Sequence, residues 1–297
     1  MSSPVRPPIL AIHALKKFAD VLHPEDCEPP ILSPAIRQVL RQWLVEMTSE
    51  EELSRYGVKA RRTAMLSGPP GCGKTTLAHH FAARLGLPLV LVNMASVVSS
   101  FVGESGRNIN AVFDEVAKQP DQCILFLDEF DSIASKRGAA KDAAGSERNG
   151  IVVSILQKID SFQGTLIAAT NLADNIDPAI WRRFGMHMAI LEPGTEERFA
   201  ILKRYLMPLE MTDDALDIVT DATNGATPAI LRQLMEGVKR DLVISPKCGQ
   251  SVGAADVFGR LVASISPHGS VDPPPLWSNP HCMSEVARID WPPTMRK

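Results

Sequence analysis

The stretch from Gly68 to Thr75 reads GPPGCGKT and holds more chemistry than any other part of the chain. Gly68, Gly71 and Gly73 are spaced so that a loop can take backbone angles closed to other residues, and its successive N–H groups can converge on an oxyanion. Lys74 adds a positive charge suited to β- and γ-phosphates, and Thr75 adds a hydroxyl suited to Mg²⁺. Pro69, Pro70 and Cys72 complete the loop and are counted with it as nucleotide-contacting, as is Thr76 just beyond it. The apolar run Ala64-Met65-Leu66 precedes the loop as a strand end, and Thr76 to Ala83 follows as a helix. That helix would turn the positive end of its dipole toward the same anion.

A second constellation fits the first. The apolar run Cys123-Ile124-Leu125-Phe126-Leu127 ends in Asp128-Glu129. Two carboxylates at the tip of a buried strand suit phosphoryl transfer, with Asp128 holding Mg²⁺ through water and Glu129 orienting and polarising the attacking water. Taken alone, the same acids could simply favour the start of a following helix. Thr170-Asn171 ends the next strand-like run, and an amide there can reach a γ-phosphate or the lytic water, although asparagine is also a common turn residue. Asp177 to Phe184 (DPAIWRRF) reads as a short capped helix that ends in Arg182 and Arg183. These two lie on the far side of the expected sheet, too distant for their own phosphates. As arginine fingers they would serve a neighbouring copy, which requires an oligomer.

The elements that must position these residues follow from periodicity. Five strand-like runs, at 64–66, 88–93, 122–128, 165–170 and 186–191, alternate with helical or mixed stretches. The earlier runs are continuously apolar, as strands buried on both faces are. The expected fold class is α/β, a doubly wound parallel five-stranded P-loop sheet with a small all-helical C-terminal lid domain. Helices are expected over 195–206, 213–223, 228–244 and 254–265, with Thr227-Pro228 as a cap-plus-proline start. The resulting boundaries are an N-terminal extension over 1–30, the large α/β domain over 31–192, the lid over 193–265 and an irregular tail over 266–297. In the extension, Ile9, Ile12, Leu15, Phe18, Val21 and Leu22 fall at helical spacing, for packing on the main domain or docking a partner. Ser33-Pro34 opens a helix whose apolar stripe includes Val39, Leu40 and Trp43. Lys136 to Gly150 reads as a mobile loop. The tail holds Trp277 and Trp291, which need covering by its own body or by a partner.

Composition narrows the function classes. A net charge of -3 gives no general basic balance for nucleic acid. Cys27, Cys72, Cys123, Cys248 and Cys282 form no CxxC pair, which suits a reducing compartment and argues against a zinc site or disulfide framework. No apolar run has the length of a membrane span, and the start lacks a secretory signal, so the expected location is cytoplasmic.

With these motifs assembled, the sequence resembles an AAA+ ATPase, of the AAA branch in the narrow sense, from about Arg41 to Val262. GPPGCGKT resembles its Walker A motif, CILFLDEFDSIA its Walker B motif and AATN its sensor 1. DPAIWRRF resembles the second region of homology with its finger pair; the Arg182-Arg183-Phe184 order is similar to that of katanin-like, microtubule-severing members. The overall wording is similar to bacterial stand-alone AAA ATPases. NGATPAILRQL resembles the lid motif near the adenine and brings in Ala229, with Pro228 where that motif has glycine and Ile230 where it has an acid. Phe101-Val102-Gly103 resembles pore loop 1, which in the family lines a ring channel and grips an extended polypeptide. The 136–150 segment stands where a second pore loop would be, with Glu147 and Arg148 available for contacts between subunits. The resemblance implies ATP and Mg²⁺ as ligands, a homo-oligomer, expected as a hexamer, and a protein substrate remodelled, unfolded or translocated. No protease module is visible in the sequence, so the protein would either remodel its target itself or hand it to a separate partner such as a protease, with an adaptor as a further candidate partner. The alternative is a nucleic-acid-directed loader or helicase, which the charge balance and the aromatic loop disfavour.

Overall fold

The computed structural model of the 297-residue chain describes residues 19–97, 104–134, 143–267 and 272–296. They separate into two compact bodies. The first runs to Pro30 and includes Ala35–Pro69 and Lys74–Ile190; the second comprises Ile31–Pro34, Pro70–Gly73 and the residues from Leu191 on.

The first body is built on a six-stranded sheet in the order β1-β3-β4-β5-β2-β6. The strands are β1 (Ala19–Leu22), β2 (Thr63–Ser67), β3 (Leu89–Asn93), β4 (Ile124–Asp128), β5 (Thr165–Thr170) and β6 (Met186–Ala189). All neighbours pair parallel except β1, which runs antiparallel to β3 with Ala19 opposite Val92. The five parallel strands are those expected from the apolar runs. β1 is an addition, and it corrects the reading of Val21 and Leu22 as the end of an N-terminal helix: those residues are extended and paired with Val90 and Leu89.

Both sheet faces are covered, which is why the strands read as unbroken apolar runs. Met65, Leu125, Leu127, Leu166 and Ala168 join one core with Val112, Phe113, Ile155 and Ile159. The alternating residues Ala64, Leu66, Phe126, Ile167 and Ala169 are also buried. Helix α1 (Pro34–Thr48) sends Trp43 inward to stack on Phe81 of α3 (Lys74–Arg84), with ring centroids 3.8 Å apart. The Trp43 indole N–H donates to the Arg61 carbonyl at 2.7 Å, which fixes α1 beside the entry to β2. After α2 (Glu50–Arg55), the remaining helices of this body are α4 (Met94–Val97), α5 (Glu104–Val116), α6 (Ala143–Ser161) and α7 (Pro178–Trp181). The segment expected as a mobile loop therefore turns helical from Ala143 onward.

The second body contains α8 (Thr195–Leu206), α9 (Asp213–Ala222), α10 (Pro228–Ile244) and α11 (Ala254–Ser264), where the spacing predicts helices. Thr212 and Thr227 cap α9 and α10 by accepting from Ala215 N–H at 3.3 Å and Ile230 N–H at 3.4 Å. Two features differ from expectation. The body also carries a small antiparallel pair, β7 (Leu209–Glu210) with β8 (Thr294–Met295). The described part of the tail is not wholly irregular: α12 (Pro275–Ser278) and α13 (Pro280–Val286) each begin with proline, and Leu276, Val286 and Ile289 enter the helical core. The two tail tryptophans are anchors. Trp277 donates to Ile265 O and Trp291 to Val252 O, both at 2.6 Å, and Trp291 meets Phe258 edge to face at 5.7 Å.

Removing that anchor tests the packing. Trp291→Ala is expected to lower unfolding free energy by about 3 kcal/mol, through lost contacts and an unpaired Val252 carbonyl. Urea unfolding followed by circular dichroism measures it; a loss below about 1 kcal/mol would mean the tail contributes little.

Candidate functional site

The site forms at the carboxyl ends of the parallel strands, where ligands bind in such sheets. Register sets it. Ser67 at the tip of β2 is level with Thr170 at the tip of β5, and Asp128 ends β4 beside Asn93. The root of the glycine loop is held from both sides: Gly68 N–H donates to Thr170 O at 3.3 Å, and Ile190 N–H donates to Ser67 O at 2.7 Å. Gly68 has φ +144°, and a Cβ there would lie 1.9 Å from the Ile190 carbonyl oxygen. Glycine is thus demanded by both angle and space. Further along, Gly71 (φ +79°) accepts at its carbonyl from Ala229 N–H at 3.2 Å, and a Cβ there would meet the Ala229 Cβ at 3.0 Å.

Lys74 begins α3 and is buried. Its ammonium donates to Gly68 O at 2.7 Å, Pro69 O at 2.9 Å and Asn171 Oδ1 at 2.6 Å. The lysine of the loop and the amide beyond β5, read separately from sequence, are in direct contact. Thr75 Oγ1 donates to Asp128 Oδ2 at 2.9 Å, which brings together the two groups expected to hold a divalent cation. A hydroxyl and one carboxylate suit Mg²⁺, which binds through few protein oxygens and leaves positions for water and phosphate. Among the described residues no cluster of three or more His, Cys, Asp or Glu side chains is gathered to hold a metal.

Glu129 follows Asp128 with φ 52° and ψ 42°, a left-handed conformation rare for a residue with a side chain. It is the single non-glycine residue with positive φ among those described. Its N–H is bound by Asp128 Oδ1 at 2.9 Å, and the turn behind it closes with Ser132 N–H to Glu129 O at 3.0 Å. This bend leaves Glu129 exposed at the strand tips while Phe130 is fully buried. Asp131, which the motif reading passed over, accepts at Oδ1 from Thr170 Oγ1 at 2.8 Å and from Asn171 N–H at 3.2 Å. The signal was an acid recurring three residues after Asp128. The thiol of Cys123, at the opposite end of β4, is pushed up to about 11 by burial and is an inert core group.

Arg182 and Arg183 are not brought to this site. Thr63 Oγ1 donates to Arg183 O at 3.2 Å and accepts from Gly185 N–H at 2.9 Å, so both arginines flank the amino end of β2. The four residue steps from Thr63 to Ser67 span about 13 Å, farther than an arginine side chain extends. Arg182 and Arg183 are exposed, and the Arg183 guanidinium pairs with Asp160 at 2.5 Å. Cys72 is buried, and Thr76 is exposed on the first turn of α3. Phe101, Val102 and Gly103 lie outside the described residues, as do the side chains of Glu147 and Arg148.

Residues 64–191 match the family model described as ATPase family associated with various cellular activities (AAA). The chain is 42% identical over 174 residues, 58% of its length and 52% of the relative's, to an uncharacterized AAA family ATPase of Sinorhizobium fredii. It is 36% identical over 206 residues to Protein SAV of Sulfolobus acidocaldarius, covering 67% of this chain and 26% of that one. It is 30% identical over 206 residues to the ATP-dependent zinc metalloprotease FtsH of Halothermothrix orenii, covering 67% and 32%. The chain thus spans about half of the first relative and a third or less of the other two. No helix among the described residues is long and apolar enough to cross a membrane.

The close approach at Gly68 yields a direct test. Gly68→Ala is expected to displace the Ile190 carbonyl, lower stability by about 3 kcal/mol and abolish binding of a fluorescent ATP analogue. Near-normal binding would show that the loop tolerates a side chain at its root.

Proposed function

Residues 64–191 belong to the AAA family of ATPases, and from that premise we propose that the protein hydrolyses ATP within a ring of identical subunits to remodel or translocate protein substrates. The observation that carries the reading is the convergence of Lys74 with Asn171 and of Thr75 with Asp128 at neighbouring strand tips. The loop N–H groups and Lys74 bind the triphosphate; Asn171 meets the ammonium through its oxygen and offers its amide N–H to the γ-phosphate or the lytic water. Glu129, exposed on its bent backbone, orients a water for attack on the terminal phosphorus as the bond to the β-phosphate oxygen breaks. Mg²⁺, held by Thr75 and Asp128, would supply neutralisation of the phosphate charge.

Arg182 and Arg183 lie too far from their own loop to stabilise that reaction, and their exposure supports service to an adjoining subunit. A closed ring, expected as a hexamer, gives every loop such a neighbour. Protein as the substrate class is supported by the resemblance of Phe101-Val102-Gly103 to a pore loop and by the relatives named as ATP-dependent metalloproteases. A separate protease or adaptor would receive the product.

Phosphate release and nucleotide binding test this together. Lys74→Ala should fail to bind nucleotide. Glu129→Gln should bind normally and lose about 100-fold or more in turnover. Arg183→Ala should also bind and lose turnover, and mixing it with Glu129→Gln protein should restore part of the activity, because mixed interfaces pair an intact base with an intact finger. Absence of rescue would place the whole reaction within one subunit. Phe101→Ala should abolish substrate-stimulated turnover and processing of an unfolded protein; unchanged processing would remove the pore from the mechanism.

A further inference from the structure

The geometry points to Asp131 as a positioning residue for hydrolysis, fixing the backbone on which Asn171 stands; the inference rests on the reading of the site given above. Asn171 is exposed at a strand tip, so its Lys74 contact depends on what restrains the chain around it. Asp131 restrains both sides. Its Oδ1 accepts from Asn171 N–H and from the hydroxyl of buried Thr170, and that hydroxyl in turn accepts from Leu172 N–H at 3.0 Å. Three consecutive residues are thereby tied to one carboxylate oxygen.

Asp131 belongs to the turn that follows Glu129, so the same carboxylate joins the base-bearing turn to the amide-bearing tip. That turn is itself held, with Ala134 N–H donating to Phe130 O at 3.0 Å and the Ala134 carbonyl accepting from Asp177 N–H at 2.8 Å. The β4 and β5 ladder ends at Leu127 opposite Ala168. Beyond it, the bonds to Asp131 join the two tips directly. Asp131 bonds the chain on either side of the Asn171 side chain and acts through Asn171.

Turnover and binding in the full chain distinguish this from a general structural role. Asp131→Ala should reduce kcat about tenfold or more while changing the Kd of a fluorescent ATP analogue by no more than about twofold. Asp131→Asn, which keeps an acceptor oxygen, should recover most of the rate. The double variant Asp131→Ala/Asn171→Ala should be no slower than Asn171→Ala alone, because both changes remove one function. Multiplicative losses, or wild-type kcat in Asp131→Ala, would overturn the inference. Should the alanine variant not fold, Thr170→Val, which deletes one of the two bonds at nearly constant shape, takes its place in the same cycle. A wild-type protein that releases no phosphate would overturn the reading of the site itself, visibly so because wild type is the reference.

Discussion

Three backbones meet at Gly68 more closely than a side chain permits. β5 lies on one side of the loop root and the end of β6 on the other, each hydrogen-bonded to it, and the Ile190 carbonyl occupies the space a Cβ would need. This contact sets where the loop leaves the sheet. Lys74 can then fold back onto the Gly68 and Pro69 carbonyls and still reach Asn171. The positions of the charged and polar groups are thus consequences of strand pairing in the middle of the sheet. A loop of the same composition on an edge strand would lack one of the two restraints.

Glu129 illustrates a different economy. A left-handed residue with a side chain costs of order 1–3 kcal/mol unless its surroundings over-determine it. Here they do. Asp128 binds its N–H, the following turn closes on its carbonyl, and Phe130 is buried against Phe184, edge to face at 6.0 Å. The strain turns Phe130 into the core and leaves the carboxylate of Glu129 outside it.

Much of this was legible in the sequence because the motif residues are local. The glycine spacing, the apolar run ending in Asp128-Glu129, and Thr170-Asn171 after the next run each announce a strand tip. What the spacing did not reveal was contact across long separations. β1 is four residues whose partner lies some seventy positions away, too short for periodicity to separate strand from helix. The tail has few periodic apolar positions because its order comes from Leu276, Val286 and Trp291 meeting a core made elsewhere. Its prolines, which read as disruption, occupy the first turns of α12 and α13 where they are tolerated. Asp131 was visible as a third acid, but its partners on β5 were not.

The central place of β2 also has a consequence for how the chain comes to fold. Ala64 pairs with Ile167 and with Met186, each more than a hundred residues downstream. During synthesis the apolar residues Ala64, Met65 and Leu66 emerge long before either flanking strand exists. The most compact motif in the sequence is therefore assembled by its most distant contacts, and loop closure over that span is slow. Until β6 has been made, a nascent chain leaves one edge of this apolar strand without its partner, the kind of exposed edge that favours misassociation.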